Sequence, residues 1–303
     1  MNSLGMTVEP NPNPNRKKLA VKTLAELDDL LNSLQHEEGI SYSLDVTVPL
    51  SQEALVKLSV SPLGMNLEQV TIYPEYEDGD PPVIDTSQVT FPMLKKFSAE
   101  CQAFQSVHFT ADCFPLLESL SIESPCATTL DAFHTELPNL QHMNFQYVTI
   151  EDTSDFGPSL SRSPKLETFT SYKLWGLGSK SAHRLILPNM KNLDLYRSDD
   201  LRGLKLWAPR LEDLNLQACY DISKVDLLKQ KPAGFSGPEY AFAGEESEFE
   251  LNCINCCDIP PKGTMVTSPR CKKVHSKLCD DDNPTFFFLI KNIQKRLGVA
   301  QQV

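Results

Sequence analysis

The segment LEDLNLQACYDI, residues 211–222, decides the fold. Leu211 is followed by two other residues, then Leu214, one other, and Leu216, with Cys219 and Ile222 closing the phrase. Towards the N-terminus the same spacing recurs as Met190–Leu193–Leu195, Leu166–Phe169–Ser171, Leu140–Met143–Phe145, Leu117–Leu120–Ile122, Leu94–Phe97–Ala99 and Leu67–Val70–Ile72. Read in chain order, the first positions lie 27, 23, 23, 26, 24 and 21 residues apart. Pro92, Pro115, Pro138, Pro164, Pro188 and Pro209 each stand two residues ahead of a copy. A period in this range predicts stacked units that bury one continuous core.

Within each copy the last two marked residues are two apart, so both side chains share one face of a strand. Proline fixes its own φ and lacks a donor, which suits a strand entrance and opposes a helix. One such strand cannot bury its apolar face alone; next to its neighbours in a parallel sheet it can. The outward columns follow from the same register. The position between the marked pair gives Thr71, Ser98, Ser121, Asn144, Thr170, Asp194 and Asn215. The position before gives Gln69, Lys96, Ser119, His142, Thr168, Asn192 and Asp213, and the position after gives Tyr73, Glu100, Glu123, Gln146, Tyr172, Tyr196 and Gln217. None of these is a large aliphatic residue.

The phrase resembles the leucine-rich-repeat pattern LxxLxLxxN/CxL. LEDLNLQACYDI matches it best, and MKNLDLYRSDDL (190–201) and LETFTSYKLWGL (166–177) keep its closing leucine. The resemblance covers roughly residues 63–222. The asparagine or cysteine ladder of the family is nearly missing, since Glu75, Gln102, Pro125, Val148, Leu174 and Ser198 stand there. The resemblance implies an α/β fold: a leucine-rich-repeat solenoid, with a curved parallel β-sheet and short helical or irregular returns. It also implies protein–protein recognition through the concave face. The proline-led style is similar to the repeat half of F-box/leucine-rich-repeat proteins, which are substrate receptors of ubiquitin ligases, although no F-box is recognisable ahead of the repeats.

The organisation follows. Residues 1–16 are rich in Asn and Pro and are expected to be a disordered tail. Residues 17–62 read as an N-terminal cap with a first degenerate unit. Thr23 and Glu26 form a capping box ahead of Leu24, Leu27, Leu31 and Leu34, and Gly39 is a stop. Tyr42, Leu44, Val46 and Val48 alternate as a strand, and Ser51 caps a short helix through Leu58. Residues 63–228 hold the repeats. Within them TLDAFHTEL (129–137) suggests a short helix, and RLIL (184–187) and GLKLW (203–207) alternate like a second strand set. Residues 147–165 read as a polar loop. The stretch 229–248 is an acidic Gly/Pro-rich loop. Residues 249–303 give a last strand in FELNCINC, a Cys-rich segment and a C-terminal capping helix on which Phe286, Leu289, Ile290, Ile293 and Leu297 share a face.

Composition narrows the functional classes. The chain has 303 residues, 41% hydrophobic and 22% charged, with a formal net charge of −12, which argues against an electrostatic nucleic-acid binder. No apolar run approaches the roughly 20 residues needed to span a bilayer. The nine cysteines are scattered and odd in number, no N-x-S/T acceptor occurs, and an apolar export segment is missing at the start, so a cytoplasmic location with reduced thiols is expected.

The candidate partner-binding residues are His142, Asn144, Tyr172, Asp194, Tyr196 and Arg197, which the register gathers on adjacent units; Tyr and Arg are the types that concentrate interface energy. A plain solvated face would carry the same columns. Cys253, Cys256, Cys271, His275 and Cys279 are zinc candidates, since the CxxC pair turns two thiolates to one side and the last three would share a helical face. Buried and ordinary loop thiols are the other reading of them, and the expectation is that no metal or cofactor is bound. Enzyme signatures are missing: WGLGSKS (175–181) lacks P-loop spacing, neither GxSxG nor HExxH occurs, and Asp280, Asp281 and Asp282 read as a solvated run. The expectation is a non-enzymatic protein-binding scaffold, with a ubiquitin-ligase substrate receptor or a zinc-stabilised structural module as alternatives.

Overall fold

The computed structural model describes residues 15–33, 39–73, 83–100, 103–130, 132–150, 160–174, 184–198, 204–217, 225–227, 249–254, 266–267 and 271–277. The first described elements are strand β1 (Arg16–Val21), helix α1 (Leu24–Ser33), strand β2 (Ser41–Val46) and helix α2 (Gln52–Val60). The capping box forms as read. The Glu26 amide donates to Thr23 Oγ1 at 3.1 Å, and Glu26 Oε2 accepts from the amides of Thr23 and Lys22. Ser51 caps α2 by accepting from the Ala54 amide. Leu27 and Leu30 form the buried side of α1, whereas Leu24 is exposed. The cap therefore contributes two parallel strands, β1 and β2, where the sequence pattern gave one.

The repeats then supply β3 (Leu67–Ile72), β5 (Lys96–Glu100), β7 (Ser119–Leu130), β9 (His142–Ile150), β10 (Thr168–Tyr172), β12 (Asn192–Tyr196) and β14 (Asp213–Gln217). These continue from β2 in one parallel sheet, which β16 (Phe249–Ile254) and β18 (Cys271–Lys277) extend to eleven strands among the described residues. Between them run shorter strands. β4 (Val83–Asp85), β6 (Ala103–Thr110) and β8 (Ala132–Glu136) form a three-stranded sheet; β11 (Arg184–Ile186), β13 (Leu204–Trp207), β15 (Val225–Leu227) and β17 (Val266–Thr267) form a four-stranded one. RLIL and GLKLW thus pair in parallel as anticipated. Within TLDAFHTEL, Ala132–Glu136 is strand rather than helix, and its Phe133 and Thr135 positions pair with Val107 and Phe109 of β6. The expected loop at 147–165 begins later than read, since β9 runs on to Ile150 beside Leu130 of β7.

All first, fourth and sixth positions of the seven copies are buried, and none of the outward columns is. Strand periodicity, not propensity, sets this register. Phe97, Phe109 and Phe114 pack in sequence between the large and the three-stranded sheet, with ring centroids 5.3 and 4.7 Å apart. The prolines have a more specific task than a strand entrance. In each of the six, the residue before Pro accepts from the amide two residues after it, as in Leu140 N–H to Leu137 O at 3.2 Å and Leu211 N–H to Ala208 O at 3.2 Å. Proline therefore sits second in a β-turn, where its fixed φ is pre-set. The residue next along then donates to the preceding strand's start, as Lys191 does to Glu167 at 2.8 Å. Apart from the neutral Gln141, side chains in that column alternate in charge, and Lys95–Glu68 and Lys191–Glu167 close at 3.0 and 2.7 Å. Gly64 is required by contact: a Cβ there would collide with the Leu58 carbonyl oxygen.

Candidate functional site

On the exposed face of the large sheet, three cross-strand rows meet over β9, β10, β12 and β14. His142, Thr168, Asn192 and Asp213 are in register, as are Asn144, Thr170, Asp194 and Asn215, and Gln146, Tyr172, Tyr196 and Gln217. The strands alternate inward and outward, so these side chains stand together on one face.

The last row carries most of the geometry. The rings of Tyr172 and Tyr196 stack with centroids 4.9 Å apart and planes 16° from parallel. Tyr147, just past Gln146, adds a third ring 4.9 Å from Tyr172 at 59°. Lys173 Nζ lies 4.7 Å from the Tyr147 centroid and 5.7 Å from that of Tyr172. The Arg197 guanidinium lies 5.9 and 5.6 Å from the Tyr172 and Tyr196 centroids, and its Nη1 donates to the Tyr172 hydroxyl at 3.2 Å. These are cation–π distances. A hydrogen bond with Tyr172, then desolvation, hold the Tyr147 phenol above its ordinary value.

The backbone beneath this cluster is strained in a repeated way. Tyr147, Lys173 and Arg197 occupy equivalent positions and have φ of 58°, 52° and 50°. This left-handed conformation favours Gly or Asn and costs other residues about 1–2 kcal/mol each. It is locked by main-chain bonds, Lys173 N–H to Tyr196 O at 2.8 Å and Arg197 N–H to Gln217 O at 2.7 Å. The next residues, Val148, Leu174 and Ser198, are buried. Ser198 there bonds Ser171 Oγ at 3.0 Å, which satisfies the one polar side chain on the inward column.

Of the six residues singled out in the sequence, Tyr172, Tyr196 and Arg197 make direct contact. Asp194 lies two residues before Tyr196 on β12, and burial pushes its carboxyl up from the ordinary value. Asn144 turns to β7 and donates to Ser121 Oγ at 3.0 Å. His142 is exposed but starts its strand, four residues or about 13 Å from the tyrosine row. Tyr147 and Lys173 were missed, although they occupy the column from which Arg197 was taken.

The acids of the same row lie further along. Glu100 of β5 pairs in register with Glu123 of β7, and Glu123 with Gln146 of β9. Partial burial, and then the adjacent Glu100 charge, push the Glu123 carboxyl up.

The zinc candidates are only partly described. Cys271 and His275 lie in strand β18, so the helical face expected for 271–279 is not formed there; pairing with β16 draws the segment extended. Cys253 pairs with Ser276 and His275 with Asn252, which places the two at successive register positions. Cys256 and Cys279 fall outside the described residues, as do the loop 229–248 and the expected C-terminal helix. Among the described residues no His/Cys/Asp/Glu group could hold a metal ion. None of their helices is long and apolar enough to cross a membrane. Compared with known proteins, the chain matches no family model, and no curated protein or solved structure is significantly similar to it.

Proposed function

We propose that the chain is a leucine-rich-repeat solenoid whose exposed sheet face binds a protein partner, with the tyrosine–cation cluster at the centre of the interface. The observation that carries this reading is the strained column Tyr147, Lys173 and Arg197. Glycine would sit there without penalty, yet three adjacent units hold large side chains whose rings and cations meet above the sheet. Backbone strain of this kind gathers at functional positions. Stacked tyrosines supply rigid apolar area with a polar tip, and arginine supplies planar donors, the combination that anchors protein interfaces. The rows beside them are hydroxyl, amide and carboxylate groups with one imidazole, His142, which give a polar rim.

The reading is non-enzymatic and needs no cofactor. Its test is affinity capture from the source cell, identification of the captured protein, and titration of the purified pair. Tyr196→Ala and Arg197→Ala should each weaken binding about tenfold or more. Lys57→Ala, on α2 in an exposed pair with Glu53, should leave it unchanged. Equal affinities for all variants, with unchanged melting, would remove this face from consideration.

A further inference from the structure

Taking the proposed binding face as given, we infer that its partner presents an extended segment of opposite charges, with a basic residue over Glu100 and Glu123, an acidic residue between Lys173 and Arg197, and an apolar side chain midway between them on the Tyr147 ring of β9. The register makes Glu100, Glu123, Gln146, Tyr172, Tyr196 and Gln217 one continuous row across six adjacent strands. One end of the row is doubly acidic. Its other end has two cations at equivalent positions of neighbouring strands, both held over ring faces. The strip is therefore electrically bipolar, with an aromatic surface at its cationic pole.

The spacing limits the ligand. Adjacent strands are about 4.8 Å apart, and the middle of the acidic pair is three strand spacings from the middle of the cationic pair, about 14 Å. An extended peptide crossing the strands advances about 3.3 Å per residue, so the two charges must be about four residues apart. Charge complementarity favours the ends in one sense only: like-charged residues would face a like-charged pole. The two acids also sit directly opposite each other, a repulsion that a partner cation relieves. Glu123, already pushed up by burial and by Glu100, marks the place where that cation gains most.

The experiment uses the full chain and fluorescein-labelled ten-residue peptides of Gly and Ser carrying Phe at the centre and charged residues at i and i+4. Four are compared by anisotropy: Arg…Glu, Glu…Arg, Arg…Arg and Glu…Glu. At least one mixed peptide should bind about tenfold more tightly than both like-charged ones, the combined effect of two partly desolvated pairs. Glu100→Lys with Glu123→Lys should transfer the preference to Glu…Glu. Lys173→Glu with Arg197→Glu should transfer it to Arg…Arg, and circular dichroism should be unchanged in both variants. Equal binding of all four peptides, no binding of any, or no transfer on charge reversal would overturn the inference. A captured partner that is still lost on Tyr196→Ala, alongside any of those outcomes, would leave the binding face standing and reject only its bipolar ligand.

Discussion

Arg197 offers a perturbation in which backbone and side chain act in opposite directions. Its φ is 50°, and its amide is tied to the Gln217 carbonyl at 2.7 Å, so the strand end cannot relax out of the left-handed region. An L-residue pays about 1–2 kcal/mol for that conformation. Arg197→Ala keeps the penalty and removes the guanidinium; Arg197→Gly removes both. Glycine gives back about 0.4–1 kcal/mol through the greater freedom of its unfolded chain. The difference leaves the Gly variant more stable than the Ala variant by about 1 kcal/mol, or about 2–4 °C in melting midpoint for a repeat body of this size. Thermal and urea melts of the two variants, read by circular dichroism, measure it. The control is Thr170, in mid-strand, where Gly should instead be the less stable of the pair by about 0.5–1 kcal/mol. In partner binding, Arg197→Gly and Arg197→Ala should be equally defective, because both lack the cation over Tyr172 and Tyr196. A Gly variant no more stable than Ala would show that the turn is not strained, and strain would then no longer mark this column as functional.

Leu193 is fully buried between Phe169 and Leu214 in register, whereas its neighbour Asn192 faces outward. Leu193→Ala should cost about 2–5 kcal/mol and Asn192→Ala about 0.5 kcal/mol or less; equal shifts in denaturation midpoint would mean the register is wrong. Ser171→Ala leaves the Ser198 hydroxyl buried without its partner, so it should cost about 1–3 kcal/mol, with partial recovery in the Ser171→Ala/Ser198→Ala double variant. The Asp194 carboxyl is raised by burial, so the folded state holds its proton more tightly than the unfolded chain does. That contribution favours folding at low pH and is lost as pH rises through the carboxylate range. Asp194→Asn should therefore raise the melting midpoint at pH 7, with the gain vanishing in acid; a gain independent of pH would refute the sign.

What could be read from the sequence was whatever period two dictates. The inward column from Val70 to Leu216 and the outward column from Thr71 to Asn215 needed only the alternation of a strand, because a slip of one residue would turn every leucine into water. The caps at Thr23 and Ser51 were legible for the same reason: each is a local rule settled within four residues. The return strands were legible only where they alternate, as RLIL and GLKLW do. TLDAFHTEL carries no strong strand signal of its own, and its conformation is set by β6 beside it, a partner 26 positions earlier in the chain. Cys271–Lys277 was misjudged likewise, since ligand spacing suggested a helix and a neighbouring strand imposed an extended one. At the candidate site, Tyr172 and Tyr196 were legible as one column. Tyr147 and Lys173 were not, because nothing in their identity announces a left-handed backbone. Yet Arg197 had already been taken from that column, and the six proline turns had fixed where each strand begins. Counting one residue further along every strand would have brought the three together. The strain then supplies what the count lacks: the left-handed column that would suit glycine instead carries the rings and cations that meet above the sheet.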